Sequence, residues 1–485
     1  MQPKLNLLTP DLVSRILDEA FQLMRRPGIM VKSEVARRLL SEAGAEVSRD
    51  SEIVHIPEKV VRTALATVPS EFSLYDRLGS PKVFYGGDAV HFDPGSAGVN
   101  ILDPDTLEHR PAESQDLVRL VKVVEMLPQY DAQSTAIVCN DIPKEIGDLY
   151  RLYIVLAFSD KPIVTGAFSL PTLEIMLEML ALLAGGRKVL QEKPRAVFDV
   201  CPNPPLIWGS FGAGNLIALA RANIPAEIVS MPLAGAAAPV TLLGAVTQHA
   251  AECLSGISIH QAARPGAPIV WGGAPAIFDM RKGSTPMAAI ETAMIDSSYA
   301  QVGKSLNLPT HTYLCGSDSK VVDAQAGLES GMTALIGALA GINMISGAGM
   351  LDFLACQSPE KLVIDAEAIA MTRRMLEGMK VQTDTLATAL FEGIDFKGDF
   401  LKQRLTRDLF AREQYLPSPV IDRDSRRGWQ AAGSLDSFSR ARLRTDYLIN
   451  TYRRPELDPE LQNDVNFLVS SQAKNAGLDS LPSLN

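Results

Sequence analysis

Histidine, cysteine, aromatic residues and positive charge are all scarce in this sequence, and each shortage is informative. Six histidines occur in 485 residues. None stands in an HExxH or HxH arrangement, which argues against a dedicated zinc site. The five cysteines, Cys139, Cys201, Cys253, Cys315 and Cys356, include no CxxC pair. An odd number spread over a long chain fits a reducing compartment and not a disulfide scaffold. Lys and Arg number 46 against 56 Asp and Glu, a formal charge of −10. That balance argues against a nucleic-acid or anionic-membrane surface. No stretch offers ~20 apolar residues free of charge. The start, MQPKLNLLTPDLVSRIL, lacks the basic-then-apolar pattern of a signal peptide. The expectation is a soluble, cytoplasmic protein without nucleic-acid or membrane partners.

Apolar residues make up 46% of the chain, enough to bury a large core. Residues 9–68 read as helical: Thr9-Pro10-Asp11 opens a segment, and SEVARRLLSEAGAEV carries apolar residues at helical spacing. SEIVHIP (51–57) reads as a short strand. Turns and strands rich in Gly, Pro and Asp fill 71–111, and a helix follows from about Ser114. Beyond residue 130 a rhythm begins. β-rich apolar runs occur at KPIVTGA (161–167), RAVFDVCP (195–202), AEIVSMP (226–232), APIVWGG (267–273), THTYLCG (310–316) and INMISGAG (342–349). Helical patterns separate most of them, and one or two further strands are expected around 131–139 and in the C-terminal half.

Apolar strands alternating with helices specify a parallel sheet buried on both faces. Their number favours an α/β fold of the TIM (β/α)8 barrel type over a doubly wound sheet. The expected organisation has three parts. A helical and β-rich N-terminal segment (1–130) packs on the barrel core (131–380), and a charged, irregular C-terminal cap or arm (381–485) follows.

Nearly every strand in the set ends on Gly, Pro, Ser or Cys, as at Cys201-Pro202, Trp271-Gly272 and Cys315-Gly316-Ser317. In a barrel these ends converge on the face where ligands bind. Nucleophilic catalysis finds little support there. Ser210 in WGSFGAG does not match GxSxG, and Cys315 is more simply a small core residue at a strand end. GSFGAGN (209–215) lacks the glycine order and the Lys-Ser/Thr of a phosphate loop. The sparse aromatics carry more: Trp208 and Phe211 flank one strand end, Trp271 closes another, and Tyr313 precedes Cys315. Aromatic faces hold quaternary ammonium groups, although rings also plug barrel mouths. Four acids, Glu252, Asp318, Asp323 and Glu329, could face such a cation. For Glu252 and Glu329 an internal ion pair or a solvated helix face is the simpler reading. Asp318 stands beside Ser317 and Lys320, where strand gives way to helix.

The segments SMPLAGAAAPVTLLGAVTQHAAECLSGI (230–257), PGAPIVWGG (265–273), GSDSKVVDAQAGLESGMTALIGALAGINMISGAGML (316–351) and SPEKLVIDAEAI (358–369) resemble the trimethylamine methyltransferase family. The likeness extends over nearly the whole chain and is densest from about 84 to 370. It implies a TIM barrel that passes a methyl group from a methylated amine to the Co(I) corrinoid (cobalamin) of a small separate protein. The corrinoid would not be held permanently by this chain, and homo-oligomerisation is a further implication. Trimethylamine-specific members carry pyrrolysine in the site, whereas every residue here is one of the common twenty. Non-pyrrolysine relatives demethylate quaternary amines, with glycine betaine, proline betaine, carnitine and γ-butyrobetaine as substrates. A histidine that relatives often show has no counterpart at Leu405-Thr406, so its contribution is not carried over.

On this resemblance the expected site runs along 315–325 and the aromatic strand ends. Asp318 and Gln325 take the catalytic positions. Trp208, Phe211, Trp271 and Tyr313 surround the ammonium, and His311 or Lys320 holds a substrate carboxylate. Ser317, Asp323 and Glu252 shape the pocket, with no metal ligands among them. A quaternary ammonium leaves as a neutral amine, so no general acid is required. The rival readings are a betaine-binding barrel without methyl transfer and a metal- or PLP-dependent barrel enzyme.

Overall fold

Eight short parallel strands, each followed by a helix, close into a ring. The computed structural model describes residues 2–48, 51–392, 396 and 400–484. The strands are β1 (His91–Pro94), β2 (Gln133–Ser134), β3 (Ile163–Gly166), β4 (Ala196–Val200), β5 (Ala226–Ser230), β6 (Ile269–Gly273), β7 (His311–Thr312) and β8 (Met344–Ala348). Their helices are α1 (Ser114–Met126), α2 (Gly147–Phe158), α3 (Leu170–Ala184), α4 (Ser210–Ala222), α5 (Leu242–Ala263), α6 (Ile290–Ser305), α7 (Ala324–Leu339) and α8 (Pro359–Leu376). Parallel pairing runs unbroken from β2 to β6. It passes to β7 through the Trp271–Thr310 bridge, then to β8 and on to β1. The ring closes where Asp131 N donates to Phe92 O at 2.9 Å. This is a (β/α)8 barrel.

Two expected strands have different outcomes. The one near 131–139 is present as β2. The other is β1, drawn from the turn-rich 71–111 region and not from the C-terminal half; among the described residues no strand follows Gln357. The barrel therefore begins about forty residues before the boundary expected at 131. A four-residue strand flanked by Gly, Pro and Asp carries too little periodicity to stand out.

A hairpin seals the N-terminal end of the ring. Phe72–Tyr75 pairs antiparallel with Pro81–Tyr85. Its Leu74, Val83 and Tyr85 pack on Val164, Val197, Val270 and Met344, which point inward from the starts of β3, β4, β6 and β8. The opposite, C-terminal end stays open.

The remaining chain covers the outer helices. Helices Pro10–Arg25, Glu34–Glu42 and Glu58–Leu65 pack on α5. Every residue of α5 from Ala245 to Gln261 is buried in consequence. In the C-terminal arm, helix Ser437–Thr451 lies on α8 and α1, and helix Pro459–Asn475 on α3 and α2. Irregular stretches join the helices of this arm, and its residues 393–395, 397–399 and 485 lie outside the described residues. Among the described residues no helix is long and apolar enough to cross a membrane.

Strand and helix approach so closely that glycine is required between them. A Cβ on Gly303 of α6 would lie 2.6 Å from Trp271 on β6, whereas one on Gly327 of α7 would meet nothing within 4 Å. Both sit inside helices, where alanine is favoured over glycine by about 1 kcal/mol. Gly327→Ala should therefore raise the urea midpoint. Gly303→Ala should lower it, because overpacking at a filled site costs about 1–3 kcal/mol. Equal effects would show that the Trp271 contact does not constrain the fold.

Candidate active site

The open end of the barrel holds a cavity of about 610 Å³. It collects the ends of seven strands, from Ser96 after β1 round to Tyr313 after β7, and the first turn of α4. Phe168, Phe211, Met231 and Leu354 form apolar walls. Asp199, Tyr313, Thr135 and Arg151 supply polar groups. A larger hollow of about 940 Å³ lies on the C-terminal arm, lined only by residues between 410 and 447, away from the strand ends.

Alternation along the strands builds the floor, because residues two apart share a face. Val197 and Asp199 point inward from β4, as do His311 and Tyr313 from β7. Tyr313 OH donates to Asp199 Oδ2 at 2.8 Å and lies 2.8 Å from Ser96 Oγ. The Asp199 carboxyl stands next to that of Glu227 on β5, where the two can share one proton. Two carboxyl groups can pair in this way only if one is protonated.

Beneath them the network continues out of reach of solvent. His311 Nδ1 lies 2.9 Å from Glu227 Oε1, an approach off the ring nitrogen's hydrogen-bonding direction. Its Nε2 is 3.0 Å from Ser346 Oγ, and Ser346 donates to Asp93 of β1. From below, Tyr85 OH of the sealing hairpin donates to Glu227 Oε2 at 3.3 Å. Gly272 makes room for this meeting, since a Cβ there would lie 3.0 Å from His311 Nδ1 and 3.2 Å from Glu227 Cγ.

Burial sets the charge states. It pushes Glu227 up to about 8 and His311 down to about 4, so at neutral pH the acid keeps its proton and the ring is neutral. Asp199 is also raised well above the usual carboxylate range, by desolvation and then by the neighbouring Glu227. Asp93 is raised chiefly by desolvation.

The expected site residues divide between cavity, floor and frame. Phe211 and Tyr313 line the cavity. His311 lies beneath the floor with no exposure. Trp208 and Trp271 stand behind the barrel wall, their indole N–H groups given to Ser255 Oγ and Tyr299 O. Glu252 is buried on α5, accepting from Ser230 Oγ at 2.6 Å and Leu206 N at 2.9 Å.

The 315–325 segment is a framed turn and not a pocket wall. Asp318 accepts from Met287 N and Ala288 N, tying down the loop before α6, and burial raises it to about 6. Ser317 donates to Glu329 at 2.6 Å, and Gln325 does so at 2.9 Å. Asp323 caps α7 through Ala326 N. Lys320 sits 3.8 Å over the Phe353 ring and 3.5 Å from Asp352. None of these five lines the cavity.

Sequence reasoning missed Asp199, Glu227, Asp93 and Arg151. A signal existed for three of them, an ionisable residue inside an apolar run, in AVFDV, AEIVS and LYRLYIVLAF; Asp93, in VHFDPGS, gave none. Among the described residues no group of three or more His, Cys, Asp and Glu side chains could hold a metal ion.

The proton on Glu227 has a consequence for stability. Its folded value lies above the value of an exposed glutamate. Its contribution is therefore complete below about pH 4.5 and is lost as pH rises through about 8. Between those limits stability should fall by about 1.4 kcal/mol per pH unit for this group. Urea unfolding of wild type and Glu227→Gln at pH 5.5, 6.5 and 7.5 isolates it. The variant should gain on wild type as pH rises, and parallel curves would mean that Glu227 is already ionised.

The trimethylamine methyltransferase (MTTB) family model matches residues 1–477. A glycine betaine methyltransferase of Desulfitobacterium hafniense (strain Y51) is 31% identical over 98% of this chain and 98% of its own length. A trimethylamine methyltransferase from Desulfitobacterium hafniense (strain DSM 10664 / DCB-2) is 30% identical, covering 90% of this chain and 88% of its own. The crystal structure of the Methanosarcina barkeri monomethylamine methyltransferase superposes with a TM-score of 0.51 at 11% identity, over 98% of this chain and 90% of that one.

Proposed function

Since the chain belongs to the trimethylamine methyltransferase family, we propose that it demethylates a small quaternary amine, glycine betaine foremost. The methyl acceptor in this proposal is the Co(I) corrinoid of a separate corrinoid protein. The observation that carries the reading is the mouth cavity, which Phe168, Phe211 and Tyr313 line together with Asp199.

Rings and carboxyl suit a cation that has no N–H to donate. Aromatic faces attract it through their quadrupoles, and Asp199, next to Tyr313, becomes a negative charge when the arriving cation favours loss of its proton. Holding one N–CH3 bond toward the open end is a positioning task, and positioning contributes most when water is excluded. The apolar walls serve that purpose. The corrinoid supplies a strong cobalt nucleophile when its carrier docks over the strand ends, where the cavity opens. The amine departs neutral, so this chain need not deliver a proton. A cytoplasmic setting and a homo-oligomer belong to the same proposal. All five cysteines are free, which supports the former.

A second reading, demethylation of trimethylamine, draws on the proton held between Asp199 and Glu227, which a departing secondary amine could use. The absence of pyrrolysine from the sequence weighs for the quaternary substrate.

Isothermal titration with glycine betaine, proline betaine, carnitine and trimethylamine separates these readings. A quaternary amine should bind, and trimethylamine should stay silent. Binding a cation beside the Asp199–Glu227 pair favours their ionised form, so affinity should rise as pH approaches about 8. Heats should differ between buffers of unlike ionisation enthalpy, reporting the released proton. Asp199→Asn should weaken binding by about tenfold or more. Silence toward every quaternary amine with heat from trimethylamine would replace the first reading by the second.

A further inference from the structure

Arg151 is a cation on the cavity with no ion pair among the described residues, Asp148 and Asp199 acting on it only from a longer range. It projects from α2, is 2% exposed and lines the same space as Asp199 and Tyr313. Its Nη1 donates to Thr135 O at 3.1 Å. Its Nε finds no partner. Among the described residues no carboxylate lies within ion-pair distance of it. The guanidinium carbon stands 4.7 Å from the centre of the Phe168 ring, which fixes the plane of the fork.

Such an arrangement is unfavourable in an empty protein. Guanidinium keeps its charge even where burial disfavours it, as here. A buried charge left uncompensated destabilises the fold unless something arrives to pair with it. Two other buried cations are paired or capped. Lys361 has Asp365 at 2.6 Å, and Lys161 donates to three carbonyls, Val124 O, Leu127 O and Tyr130 O. Arg195 also has unpartnered nitrogens, but it precedes β4 at the sealed end, with Asp160 as its nearest favourable charge. Arg151 alone of these four faces the cavity.

We propose that Arg151 receives the carboxylate of a zwitterionic substrate whose quaternary ammonium sits against Asp199 and the aromatic walls. This deepens the quaternary-amine reading and rests on it. The planar fork offers two parallel N–H donors to a carboxylate, a match an ammonium of lysine does not provide. The cavity then selects methylated amino acids over simple methylated cations, because only the former satisfy both of its charges. Arg151 takes the part expected of His311 or Lys320, one of which is sealed below the floor and the other engaged with Phe353 and Asp352.

The test titrates wild type, Arg151→Gln, Arg151→Lys and Asp199→Asn with glycine betaine and with tetramethylammonium, which has the cation and lacks the carboxylate. Wild type should prefer glycine betaine. Arg151→Gln should lose roughly thirtyfold or more in betaine affinity, as expected for removal of one partner of a buried charge pair. It should hold tetramethylammonium within about threefold, since that ligand never meets the fork. Arg151→Lys should recover part of the betaine affinity, and Asp199→Asn should weaken both ligands. Equal loss of both ligands in Arg151→Gln would make Arg151 a framework residue and overturn the proposal. Equal wild-type affinity for the two ligands would also overturn it while leaving the quaternary-amine reading intact. If wild type binds neither ligand but binds N,N-dimethylglycine in a way that depends on Arg151, the quaternary reading alone falls; binding of none of the three overturns both.

Discussion

The inner face of a closed barrel is poor in water, so its polar side chains depend largely on one another for partners. That constraint organises this protein's centre. Asp93, Ser346, His311, Glu227, Asp199 and Tyr313 come from five of the eight strands or their ends. Each is placed by its neighbours. The positions of Asp199 and Tyr313 at the cavity are therefore properties of the whole ring. Tyr85 extends the same chain of contacts to the hairpin that seals the opposite end.

The two charges of the cavity are held in different ways. Asp199 belongs to the proton-sharing network, and its acidity answers to Glu227 beneath it. Arg151 belongs to a helix outside the ring and reaches in between strand ends. One side of the cavity can thus change protonation with its contents while the other keeps a fixed positive charge. Apolar walls between them keep the dielectric low and let both charges act on a small ligand.

The sequence was legible at the level of rhythm and illegible at the level of facing. Apolar runs alternating with helical patterns identified six strands and the barrel class. Strand β1 escaped because four residues among turn formers leave no period to detect. The site residues escaped for another reason. Strands buried on both faces show no polar–apolar alternation, so nothing told whether Trp271 or Gly272 points inward. Trp271 points out, toward Gly303 and Tyr299. Parity could have been read from the ionisable residues, since Asp199 and Glu227 inside apolar strands must face one another to be tolerated. The 315–325 cluster is ambiguous in the sequence because turn-forming and site-forming residues are the same types. Here Ser317, Asp318 and Asp323 serve as hydrogen-bond anchors for the loops before α6 and α7.

Helix α5 is enclosed on one side by the barrel and on the other by the three N-terminal helices. A helix with no solvent-facing stripe cannot keep its surroundings when either neighbour melts. Opening of the N-terminal layer is one event that brings the amides of α5 into contact with solvent, where they exchange with deuterium. The N-terminal helices and the barrel thereby share the burial of one helix.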